Sequence, residues 1–165
     1  SYTDDHVVVL DRLRIDRAHL YGQCIGGSFI INMLKRHPER VAAAVLAQPI
    51  GRIGPLKPEW NANFKGWTET LKDRPDATQA VLDAFYRNLY APGFVYCADR
   101  DFVKTIKAPC LVLAGNDEAH PWPISEELSQ LIPGCELVKE WKTEPALTAA
   151  KAKVKEFLAK HTPRR

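Results

Sequence analysis

The run Gly22-Gln23-Cys24-Ile25-Gly26-Gly27 sets a thiol among glycines, where an apolar stretch meets a helical pattern. A cysteine attacks carbonyl carbon as its thiolate, so this position suits acyl transfer through a covalent intermediate. A backbone that turns from strand to helix within a few residues presents the apex side chain clear of a sheet. Glycines beside the apex remove Cβ atoms that would collide in so tight a turn. The helix predicted from about Ile25 to Arg36 aims its free N–H groups at Cys24. That end favours negative charge, both on a thiolate and on an oxyanion, and the Ile25 N–H is one expected oxyanion donor. Gln23, beside the apex, is a candidate substrate contact.

Around this turn the chain alternates apolar runs with amphipathic ones. Thr3-Asp4-Asp5 supplies helix-start chemistry, and Val7, Leu10 and Leu13 recur at helical spacing. Ala18–Gly22 reads as the strand before the turn, and Phe29, Ile30, Met33 and Leu34 as the inner face of the helix after it. His37-Pro38 ends that helix, because the residue before proline avoids the α region. Val41–Ala47 is continuously apolar, as suits a parallel strand buried on both faces. Pro109–Gly115 and Cys135–Trp141 are two further strands, with helices at Ile124–Leu131 and Ala146–Lys160. Between them, 52–107 carries helices at Glu59–Lys72 and Ala77–Tyr90, each with an aromatic stripe, and a short one at Asp99–Thr105. The stripes suit packing against the body of the protein. They also suit lining an apolar pocket, with Trp67 as the candidate substrate contact.

The strand–turn–helix unit, with Leu13–Leu20 leading in and Pro38–Leu46 following, resembles the nucleophile-elbow unit of the α/β-hydrolase superfamily. Cysteine replaces the usual serine, as in the dienelactone-hydrolase branch. The resemblance implies an α/β fold: a parallel sheet of about four strands, helices on both faces, and a small helical lid. It makes 1–165 a single domain with 52–107 as the lid insertion. It also implies strands ahead of the first helix and a second oxyanion donor, neither of which has a counterpart here. A fragment, a trimmed relative, or a sheet completed by a partner chain or a homodimer would each account for that.

The resemblance places the triad acid three residues after Gly115, which selects Glu118, with Asp117 the close competitor. It places the base in the loop after the last strand, but Lys142-Thr143-Glu144-Pro145 has no histidine. His6, His19, His37 and His161 fall on the first helix, the first strand, a far helix end and the tail. Only His120 comes from a loop at the carboxyl end of the sheet, where Cys24 emerges. The expected constellation is Cys24 as nucleophile, His120 as base, and Glu118 or Asp117 as the orienting acid.

Bulk properties narrow the function further. A net charge of +3 is too mild to argue for nucleic acid, and no apolar run approaches the ~20 residues that cross a bilayer. The four cysteines show no metal-ligand spacing, so no metal or cofactor is expected, and free thiols suit a cytoplasmic protein. Two functions follow. One is an enzyme acting on a small ester, lactone or thioester. The other is a hydrolase-like module that binds a small ligand or a partner chain.

Overall fold

All seven residues of Val41–Ala47 are buried, so this strand must lie inside a sheet covered on both faces. The computed structural model describes residues 2–162; Ser1 and the last three residues lie outside it. Four strands, β1 (Ala18–Gln23), β2 (Val41–Ala47), β3 (Cys110–Leu113) and β4 (Glu136–Val138), form one parallel sheet in chain order. The helices are α1 (Tyr2–Arg12), α2 (Ile25–Arg36), α3 (Pro58–Glu69), α4 (Gln79–Tyr90), α5 (Arg100–Val103), α6 (Trp122–Leu131) and α7 (Ala146–Lys160).

Alternation along β2 divides the core. Ala44 and Leu46 share one cluster with Ile30, Met33 and Leu34 of α2, Val103 of α5, and Ile124 and Leu128 of α6. Ala43, Val45 and Ala47 face the other way and meet Leu111, Leu113 and Phe157 of α7. The reason is topological. Successive crossovers running in one direction, all right-handed, leave their helices on one face. Helix α7 covers the opposite face, where Phe157, Val154 and Leu158 pack.

The sequence expectations hold for α1, α2, β1 and β2 to within a residue or two. The last strand is shorter than predicted. It stops at Val138, and Trp141 leaves the sheet to donate its indole N–H to the Ala114 carbonyl at 2.7 Å. The aromatic stripes of α3 and α4 pack chiefly on each other: Phe64 lies 5.0 Å from Tyr86 and 6.2 Å from Phe85 between ring centres, and Trp67 5.3 Å from Phe85. Neither helix has a fully buried residue. Their junction with the body is Tyr96, 4% exposed, which touches both Trp60 and Tyr90.

Strand β1 is the sheet's edge, with no partner on its outer side among the described residues. Tyr21 on it is 55% exposed. All four cysteines are free thiols, and no described helix is long and apolar enough to cross a membrane.

Phe157 is the largest buried side chain that α7 sets against the sheet. Phe157→Ala is expected to cost about 3–5 kcal/mol, read as a lower urea midpoint with an unchanged slope.

Candidate active site

The four strand ends are brought together by register. Gln23 pairs with Ala47, Ala47 with Leu113 and Leu113 with Val138, so the chain leaves all four strands at one level. Loops from that carboxyl edge carry every residue of the candidate site.

Cys24 follows β1 and caps α2 with φ 58° and ψ −121°, a conformation that a side chain rarely adopts. Three hydrogen bonds hold it. The Cys24 N–H donates to Ala47 O at 3.0 Å, while its carbonyl accepts from Gly27 N–H at 3.0 Å and Ile50 N–H at 3.4 Å. The glycines do not contribute equally. A Cβ on Gly22 would sit 2.4 Å from the Gly26 carbonyl oxygen, and one on Gly27 3.2 Å from the Pro49 Cβ. A Cβ on Gly26 would meet nothing within 4 Å. Gly22 is thus the position that lets the turn close. Ile25 opens α2, so its N–H is one of the donors a helix leaves unpaired in its first turn.

His120 is 9% exposed and held by a tight turn. Asp117 Oδ1 accepts from the imidazole Nδ1–H at 2.6 Å and from the backbone N–H of Ala119 and His120 at 3.1 and 3.0 Å. A carboxylate only accepts, so the Asp117 bond puts a proton on Nδ1. That leaves Nε2 as the neutral ring's acceptor. Nε2 is buried and has no hydrogen-bond partner. Burial raises the Asp117 carboxyl, but the bonds from His120 and from Lys142 outweigh it and hold the group below the usual carboxylate range.

Gly115 makes room for this turn: a Cβ there would lie 2.2 Å from the His120 carbonyl oxygen. Its N–H donates to the fully buried Ser125 hydroxyl at 2.9 Å, fixing the loop to α6. The other predicted carboxylate points elsewhere. Glu118 has an 84% exposed side chain and pairs with Lys57 at the start of α3. The structure therefore joins His120 to Asp117 and not to Glu118. The sequence expectation set Glu118 first; the signal that could have pointed to Asp117 is an Asp with a His three residues on, in a loop, since Asp readily bonds backbone two or three residues ahead.

No hydrogen bond joins Cys24 to His120. Their strands β1 and β3 are two spacings apart, about 10 Å, with β2 between. The loop leaving β2 bonds to both neighbours: Ile50 N–H reaches Cys24 O at 3.4 Å, and Gln48 N–H donates to Leu113 O at 2.7 Å. Sequence reasoning missed Tyr96, whose segment reaches the same loop through a bridge between Val95 and Gly51. Burial pushes the Tyr96 hydroxyl up to about 12, and neighbouring Tyr90 and Cys24 add to it. Tyr96 also walls a cavity of about 500 Å³ with Arg52, Lys57, Trp60 and Glu118. Trp60, rather than Trp67, is the tryptophan of that wall; Trp67 is 43% exposed within the α3–α4 aromatic cluster, and Gln23 is exposed at the end of β1. No cluster of three or more metal-binding side chains occurs among the described residues.

Comparison with known proteins agrees with this architecture. Residues 1–89 match the family model described as alpha/beta hydrolase fold. Carboxylesterase YbfK of Bacillus subtilis strain 168 is 31% identical, over 79% of this chain and 53% of that protein. The uncharacterized carboxylesterase nap of the same organism is 26% identical over 78% and 50%. Among solved structures, Est816, described as an N-acyl homoserine lactone degrading enzyme, superposes with a TM-score of 0.62 and 26% identity, over 97% of this chain and 73% of that one. The chain spans about half the length of the curated relatives it matches. It belongs to the α/β-hydrolase fold family.

Gly115→Ala is expected to push the His120 turn outward and lower stability by about 1–3 kcal/mol. In proton NMR the downfield Nδ1–H resonance of His120 should vanish with it; a retained resonance would show that the loop absorbs the methyl group.

Proposed function

We propose that this α/β-hydrolase chain carries the nucleophile of a hydrolase acting on a small ester, lactone or thioester, with Cys24 attacking the acyl carbon. The observation that supports this most directly is the backbone of Cys24, held at φ 58° at the N-terminus of α2 and the carboxyl edge of the sheet. Strain kept by three hydrogen bonds at a helix start has its use when the apex side chain must meet a substrate. His120, oriented by Asp117, acts as base through its unpaired Nε2. The thiol passes its proton to Nε2, the thiolate forms a thioester as the alcohol or thiol leaves with that proton, and water then releases the acid. The Ile25 N–H supports the oxyanion. Carboxylesterase and lactone-degrading relatives support the substrate class.

In this reading 52–107 is a helical lid on a single domain, the cavity walled by Tyr96 and Trp60 receives the acyl part, and Gln23 and Trp67 are further substrate contacts. The free edge of β1 takes a second copy or a separate hydrolase chain. A free thiol at the centre suits the reducing cytoplasm.

One observation favours the alternative of a non-catalytic binding module: the missing hydrogen bond between Cys24 and His120. Alkylation by iodoacetamide separates the two. The enzyme reading predicts that Cys24 reacts fastest of the four cysteines at neutral pH, and about tenfold slower in His120→Ala. Equal rates in both proteins would leave the binding module.

A further inference from the structure

The loop after β4 lacks a histidine, yet it delivers a cation to the loop after β3. We propose that Lys142 is a positioning residue for the Asp117–His120 pair, clamping the carboxylate so that Oδ1 stays on the imidazole. This rests on reading that pair as the base for Cys24.

Lys142 Nζ lies 3.3 Å from Asp117 Oδ2, the carboxylate oxygen that His120 does not use. It lies 2.5 Å from Asn116 Oδ1 as well. Its neighbour Trp141 bonds Ala114 O at 2.7 Å. Two successive residues of one strand exit thus grip three residues of the other. The grip matters because Asp117 stands on a loop with its side chain 47% exposed. Such a carboxylate rotates readily about its terminal torsion unless both oxygens are engaged. With His120 and backbone N–H groups on Oδ1 and an ammonium on Oδ2, the plane is fixed. Among the described residues, the titratable groups paired with Asp117 are His120 and Lys142, while the adjacent Glu118 is turned onto Lys57. An ammonium there also keeps the carboxylate ionised to lower pH, in line with its depressed position.

A partly exposed ion pair contributes little to stability. The consequence falls on the imidazole instead, and this makes the role separable from a structural one. The test is NMR on the intact chain, comparing wild type, Lys142→Met, Lys142→Arg and Asp117→Asn. Two quantities are read: the pH at which the Asp117 carboxyl carbon titrates, and the rate at which the His120 Nδ1–H exchanges with water. Lys142→Met should move the Asp117 titration to higher pH. It should also speed the exchange roughly three- to tenfold, the range for weakening one charge-assisted hydrogen bond. Lys142→Arg should restore both, Asp117→Asn should abolish the protected Nδ1–H, and thermal midpoints should stay together across the lysine series. Wild-type values of both quantities in Lys142→Met would overturn the proposal. So would a loss of stability in Lys142→Met that arginine does not rescue. Failure of the Cys24 alkylation test would remove the Cys24–His120 link while leaving this result standing, so the two failures are told apart.

Discussion

A backbone that must leave a buried strand and enter a helix at one residue constrains everything around it. Cys24 is that residue, and the turn closes because Gly22 has no Cβ to strike the Gly26 carbonyl. The strain at Cys24 is offset by bonds to the next strand and its loop, Ala47 and Ile50, so the elbow exists only when β1 and β2 are paired in register. Register in turn depends on β2, six of whose seven buried residues are divided between two core clusters. A one-residue slip would exchange the sets facing α2 and α7. Site geometry and core packing are therefore one constraint, seen from the carboxyl edge and from the faces of the sheet.

That dependence explains what the sequence made legible. The β1–turn–α2 unit was readable because its signals are local: an apolar run, glycines at the turn, and a 3.6-residue period after it. β2 and β3 were readable as unbroken apolar runs. The end of β4 was not, because Trp141 leaves the ladder for a bond to Ala114, 27 positions away in sequence. The choice between Asp117 and Glu118 turned on which carboxylate can fold back on a histidine three residues later. The one-residue difference sends Glu118 to Lys57 instead. Gly26 looked like a steric requirement beside the apex, but its missing Cβ faces open space.

The helical segment between β2 and β3 shows a different limit. Periodicity identifies aromatic stripes on α3 and α4 without saying what they face, and they face each other, with Tyr96 carrying the contact onward to the body. Tyr96 and Lys142 belong to the site neighbourhood through bridges and loop contacts distant in sequence, which no local pattern announces. A parallel sheet assembles its working edge from residues far apart in the chain, so the chemistry-bearing types were visible and their partners were not.

The central claim is that Cys24 is an acyl acceptor served by His120. The measurement that reaches it most directly is mass spectrometry of the protein quenched at short times with p-nitrophenyl acetate, followed by peptide mapping. The account predicts an acetyl group on Cys24 that forms and then hydrolyses, forming more slowly in His120→Ala. Release of nitrophenol with no acyl group on Cys24, unchanged in Cys24→Ala, would contradict it.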